Sequence, residues 1–373
     1  MKVMTVFGTR PEAVKMAPLV RLLNEDPDIK SVLCVTAQHR EMLDGVLELF
    51  ELKPDYDLNI MKPNQSIGAI TANVLAGMEG VIERESPDVL LVHGDTTTTF
   101  AAALAGFYKM CAVGHVEAGL RTYDKYSPYP EEMNRLLTGR LTDFHFAPTR
   151  RNRDNLLREG VDEDKVFVTG NTVIDALLCV SQMPCAFTDE TLANLDFENR
   201  RVITLTCHRR ENLGENMAAI FSAVRDIAGA FGDVEVVCPV HLNPRVRAYA
   251  DEYLSGADRV HLTEPLGYRP FVKLMSKSYL IITDSGGLQE EAPSLGKPVL
   301  VVRKETERPE AVEAGTVRLV GVKRDDIFAH AAELLSDGAA YKKMARAVNP
   351  YGDGFASRRI LDILKSKGQQ AFL

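Results

Sequence analysis

The chain lacks most of the features that announce metal, redox or membrane chemistry. Its six cysteines, Cys34, Cys111, Cys179, Cys185, Cys207 and Cys238, are scattered and no pair has CxxC spacing. They read as reduced core residues, so neither a disulfide frame nor a zinc site is indicated. The eight histidines form no HExxH array, and no metal site is expected. No apolar run approaches the roughly eighteen residues that a membrane span needs. The opening MKVMTVFGTRPE reads as a strand and a turn rather than a signal peptide, which predicts a cytoplasmic protein. No GxGxxG follows a strand, no Tyr-x-x-x-Lys pair occurs and there is no P-loop, which argues against a nicotinamide-dependent sugar epimerase. The net charge of -8 argues against a nucleic-acid surface. An anionic substrate would need local Arg and Lys to offset that field.

What is present is a globular composition, 45% hydrophobic and 26% charged over 373 residues, long enough for two domains with separate cores. The most informative stretch is YLIITDSGGLQEEAPSLGKPVLVV, Tyr279 to Val302. Leu280, Ile281 and Ile282 make a buried-strand run, Asp284, Ser285, Gly286 and Gly287 break it, and a helix is predicted from Leu288. Glycines there let the backbone approach a ligand, and a helix start offers N–H groups and a dipole to a phosphate. Glu290 and Glu291 follow in about the first turn, where they could accept hydrogen bonds from a ribose diol. An ordinary βα turn with acidic residues has the same pattern, so this stretch alone leaves both readings open.

From the start, Val3 to Phe7 reads as a strand, and Gly8 to Glu12 as a turn into a helix with Thr9 and Glu12 as a capping box. Arg10 and Lys15 flank that helix start as an anion site or as a solvated basic pair. Strands at Ser31 to Thr36, Val89 to Val92 and Cys111 to Val116 alternate with helices, the signature of a parallel sheet covered on both faces. Asp95 and Glu117 then follow strand ends, as Arg10 does, and the three share one rim. A loop with two prolines and three tyrosines leads to a helix starting near Glu131.

The pattern then repeats. VITLTCHRRENLG echoes VMTVFGTRPEAVK, with a strand feeding a charged turn that contains His208, and with Asn212 and Glu215 as a second capping box. The reading is α/β, two doubly wound Rossmann-like domains facing across a cleft. Asn349 to Gly354 looks like a crossing linker that leads a C-terminal helix back to the first domain. The boundaries are 1–169, completed by 353–373, and 170–352. Each of Asp95, Glu117, Glu131 and His208 could merely cap backbone N–H groups. Together with Arg10, Lys15 and a glycine turn they suggest acid/base work on a substrate held by its phosphates.

The motifs FGTRPEAVKMAPL, HGDTTTTFAAALA, VGHVEAGLRT, SPYPEEMNR, HRREN, PVHLNP and DSGGLQEEAPSLGKPVLV with TERPE closely resemble the non-hydrolysing UDP-N-acetylglucosamine 2-epimerases, from the first strand to the last helix. The resemblance implies a GT-B fold, a homodimer, and reversible conversion of UDP-N-acetylglucosamine to UDP-N-acetylmannosamine for cell-surface polysaccharide, with neither NAD nor a required metal as cofactor. It implies Asp95, Glu117 and Glu131 as acid/base groups, with His208 close to the leaving phosphate of UDP. It places Arg10, Lys15, Ser285, Gly286, Gly287 and Arg308 around the diphosphate, Glu291 at the ribose and Phe271 near the uracil. A second, activating substrate site would match at Gln38, Arg209 and His241. However, Glu41 and Asn64 stand where the family pattern has Gln and Arg, and Leu266 offers no hydrogen bond to uridine. The loss of an Arg removes a bidentate phosphate contact. The rival readings are a GT-B glycosyltransferase, a hydrolysing epimerase and a non-catalytic nucleotide-sugar sensor.

Overall fold

The computed structural model describes residues 1–37, 40–62 and 65–367, with the backbone alone at 41 and 42. Packing divides the chain into two units, Met1–Ala176 with the segment returning from Tyr351, and Leu177–Pro350. Among the described residues, no helix is long and apolar enough to cross a membrane.

The first unit is built on β1 (Lys2–Phe7), β2 (Lys30–Val35), β3 (Tyr56–Asp57), β4 (Val89–His93), β5 (Ala112–Val116), β6 (Phe144–Ala147) and β7 (Val166–Val168). The order is β3-β2-β1-β4-β5-β6-β7, and every pairing is parallel. The strands read as continuous apolar runs because helices cover both faces; all five residues of β4, VLLVH, are buried. Met4, Val6, Leu90 and Val92 pack with Val74, Met78 and Ala102 from helices Ile67–Glu85 and Thr97–Tyr108. Each large apolar side chain so buried contributes about 1.5–3 kcal/mol.

The second unit repeats the plan with β8 (Arg201–Thr206), β9 (Val234–Pro239), β10 (Val260–Thr263), β11 (Leu280–Thr283), β12 (Val299–Val301) and β13 (Val317–Leu319). Their order is β10-β9-β8-β11-β12-β13, again all parallel. In both sheets the winding reverses beside the first strand, between β1 and β4 and between β8 and β11. In doubly wound sheets ligands bind beyond the carboxyl ends of the strands at that reversal. These are the two doubly wound, Rossmann-like domains of a GT-B fold.

Several local expectations are corrected. Asn212 does not cap the helix Glu215–Ala230; Gly214 occupies the cap position. Asn212 is buried instead, and its amide donates to Asp284 Oδ2 (3.0 Å) and Val302 O (3.2 Å). The helix of the glycine turn spans Gly286–Glu291 with Ser285 at its cap, two residues ahead of Leu288. Glu290 and Glu291 therefore close that short helix rather than open it. The short β3 is extended by Asp55, whose N–H donates to Leu33 O and whose carboxylate accepts from Leu33 N–H. By packing, the first join lies at 176/177, inside the helix Thr172–Ser181. The Asp175 carboxylate there accepts from the N–H groups of Ala356 (3.2 Å) and Ser357 (2.7 Å), so the first turn of this helix belongs with the returning segment. Gln38, Asn64, the side chain of Glu41 and residues 368–373 lie outside the described residues.

Candidate active site

In the first unit the turn after β1 is pinned by Glu12. Its Oε2 accepts from the N–H groups of Gly8 (3.1 Å) and Thr9 (2.8 Å), the carboxylate half of the expected capping box. Its Oε1 accepts from the hydroxyls of Thr96 (2.8 Å) and Thr99 (3.1 Å) in the turn after β4. One buried carboxylate thus ties together the two turns that carry Arg10 and Asp95 at the sheet's reversal.

Asp95 is held from the other side by the helix Glu131–Leu141. Arg135 donates through Nε (3.0 Å) and Nη2 (2.6 Å) to Asp95 Oδ2 and through Nη1 to Glu132 Oε2 (3.0 Å). Asn134 donates to the Asp95 carbonyl (2.9 Å). Glu131 heads this helix, and its Oε2 is buried without a hydrogen-bond partner among the described residues. A buried oxygen left unsatisfied costs about 1–3 kcal/mol.

Glu117 follows β5 in the left-handed region, with φ of 66°, where a non-glycine residue is costly and is retained by its surroundings. Its Oε2 is ion-paired to Lys15, accepts from Asn171 Nδ2 (3.1 Å) and lies 3.6 Å from His93 Nε2. Burial alone would raise the pKa of this carboxyl. The charge of Lys15 and its hydrogen bond, with His93 alongside, outweigh burial and hold it well below the ordinary carboxylate range. The structure therefore joins Lys15 to Glu117. His115 and His145 on the neighbouring strands are neutral, since burial pushes them down to about 3 and about 4. Gly119, just beyond, has φ of 88° and backs onto the carbonyl of Asn152.

In the second unit, the turns after β8 and β11 meet at Asp284, which is fully buried. Its carboxylate accepts from the N–H groups of His208 (2.9 Å) and Arg209 (2.8 Å). The His208 ring stacks on His241, with centroids 5.3 Å apart and planes 14° from parallel. Burial lowers the His208 pKa; His241 and Arg209 lower it further, against an opposing pull from Asp284. A Cβ placed on Gly286 would lie 3.6 Å from Arg209 Nη2, so this guanidinium borders the glycine turn. The first N–H groups of the following helix have no acceptor within it.

Glu291 faces Gly287, whose Cβ would lie 3.7 Å from its Oε2, while Tyr268 donates to its Oε1 (3.0 Å). Phe271 follows one turn later on the helix Tyr268–Lys277. Arg308 is ion-paired with Glu290. Beside the His208 turn is a cavity of about 280 Å³ lined by Glu211, Asn212, Asn216, Arg303, Lys304 and Glu305. Among the described residues, no three His, Cys, Asp or Glu side chains converge as a metal ion would require.

Sequence reasoning missed Glu12's second role, as well as Arg135, Asn171, His93 and Asp284. Arg135 carried a usable signal, since it sits three residues after Glu132 on a predicted helix. The partners of Asn171 and Asp284 are too distant in the chain to be paired by pattern.

Residues 21–365 match the family model described as UDP-N-acetylglucosamine 2-epimerase. The chain is 57% identical to UDP-N-acetylglucosamine 2-epimerase of Yersinia pestis over 372 residues, 98% of this chain and 99% of that protein. It is 55% identical to the protein of the same name from Escherichia coli K12 over 371 residues, again 98% and 99%. A crystal structure of UDP-GlcNAc 2-epimerase from Neisseria meningitidis bound to UDP-GlcNAc superposes with a TM-score of 0.88, at 54% identity, covering 98% of this chain and all of that one.

Proposed function

Because the chain belongs to the UDP-N-acetylglucosamine 2-epimerase family, we propose that it epimerises C2 of UDP-N-acetylglucosamine without hydrolysing it, giving UDP-N-acetylmannosamine. The observation that carries this reading is the set of three acidic groups in the first unit, each in a different state. Glu117 is charged and ion-paired, Asp95 is clamped by a guanidinium, and Glu131 has one buried oxygen without a partner among the described residues. Groups with such different environments can give and take protons at one pH.

The proton at C2 has no neighbouring carbonyl to acidify it. Breaking the anomeric C–O bond first, or concertedly, puts positive charge next to C2 and makes that proton removable. Loss of UDP and the proton leaves 2-acetamidoglucal; return of a proton to the opposite face of C2 and of UDP to C1 gives the epimer. Inversion needs acid/base groups on two faces, for which Asp95, Glu117 and Glu131 are the candidates. Departing UDP carries its negative charge on the diphosphate, which preorganised donors stabilise. Arg10, Lys15, Arg308, the Ser285–Gly287 turn and His208 take that role, with Glu291 at the ribose and Phe271 at the base. The UDP-GlcNAc seen with the Neisseria relative supports this choice of substrate.

Following the products by NMR from UDP-N-acetylglucosamine alone tests the reading. The expected result is a mixture of the two UDP-sugars with no nicotinamide added. Free N-acetylmannosamine with stoichiometric UDP would indicate a hydrolysing enzyme, and turnover only with a sugar acceptor would indicate a transferase.

A further inference from the structure

We infer that Asp284 is a positioning residue for His208, orienting its imidazole as well as the backbone of its turn. This rests on the reading of His208 as the group that meets the leaving phosphate. Thr283 pairs with Thr206 across β11 and β8, with their hydroxyls 2.6 Å apart, so the residues that follow are brought side by side. Asp284 donates its own N–H to Thr206 O (3.2 Å). Its carboxylate then collects donors from the opposite turn: His208 N, at 3.2 Å to Oδ1 and 2.9 Å to Oδ2, Arg209 N, Asn212 Nδ2 and Cys207 Sγ (3.3 Å). His208 Nδ1 lies 3.5 Å from Asp284 Oδ1.

Two features separate this from a purely structural knot. A buried negative charge next to a turn that is to receive a diphosphate works against the substrate, so a neutral acceptor would serve backbone hydrogen bonds better. A carboxylate at Nδ1, by contrast, favours the tautomer protonated there and stabilises the imidazolium that forms when Nε2, on the far side of the ring, takes a proton from solvent. His208 can then donate from Nε2 to the leaving phosphate oxygen. Among the described residues, the other charged or titratable groups acting on His208 are His241, stacked on it, and its neighbour Arg209, both of which oppose the cation. Asp284 is the group favouring it.

The test is ¹⁵N NMR of the histidine-labelled full chain, with His208 assigned through His208→Gln. Wild-type His208 is expected as the Nδ1–H tautomer above its titration. In Asp284→Asn its titration midpoint should move to lower pH. Turnover should fall by about ten-fold or more with KM changed much less, and adding Asp284→Asn to His208→Gln should cause little further loss. An unmoved midpoint, or losses that multiply, would overturn the inference. If Asp284→Asn does not fold, the wild-type tautomer decides, and Nε2–H would refute it. Both NMR readings are made without substrate. A protein that shows them but does not epimerise UDP-N-acetylglucosamine would contradict the functional reading and leave the Asp284–His208 pairing in place.

Discussion

Lys15 and Glu117, 102 positions apart, form an ion pair in the first unit that joins the helix after β1 to the residue after β5. The pair keeps Glu117 ionised in a backbone conformation that a carboxylate residue rarely adopts. Because its folded pKa is depressed, the associated stability is present above the ordinary value of 4.5 and is lost as pH falls through the folded value. Lys15→Met should therefore destabilise at neutral pH by about 1.5–3 kcal/mol, the worth of a charge-assisted hydrogen bond. It should also flatten the acid limb below pH 4.5. Denaturant melts of both proteins at neutral and acid pH check this; parallel acid limbs would contradict it.

Asp95→Asn keeps an oxygen for Arg135 but loses the proton affinity. Turnover should fall by roughly a hundred-fold or more, as for loss of a general acid or base, while the thermal midpoint stays near wild type. A near-normal rate would remove Asp95 from the chemistry.

Gly119→Ala would place a Cβ 2.2 Å from the carbonyl oxygen of Asn152, at a φ of 88°. Neither backbone can yield cheaply, so a loss of more than about 2 kcal/mol is expected. Calorimetric melting measures it, and a neutral substitution would show that the residues around Glu117 are soft.

Substrate activation should be weak. Glu41 and Asn64 replace the Gln and Arg that the resemblance expects at an activating site, although Arg209 borders the glycine turn and His241 stacks on His208. Initial rates should follow a hyperbola in UDP-N-acetylglucosamine. A sigmoid curve would show that the site works without those two groups.

The parts legible in sequence were those set by local pattern. The runs VMTVF and LIIT identified buried parallel strands, and the breaks at Gly8 and Ser285 located their carboxyl ends. What pattern could not supply was pairing over distance. Asn212 and Glu215 matched a capping box, but Asn212 lies in a short turn ahead of the cap at Gly214, and its amide donates to a buried carboxylate 72 positions away, Asp284. Likewise Arg135 reached back 40 positions to Asp95. The acidic residues were readable because they follow strand ends; the cations paired with them were not, because tertiary packing brings them there.

The most direct measurement is turnover of UDP-N-acetylglucosamine in D2O, with no nicotinamide added. One deuterium is expected at C2 of UDP-N-acetylmannosamine and, as equilibrium is approached, in the recovered substrate pool as well. Epimerised product that retains the original hydrogen at C2 would contradict it.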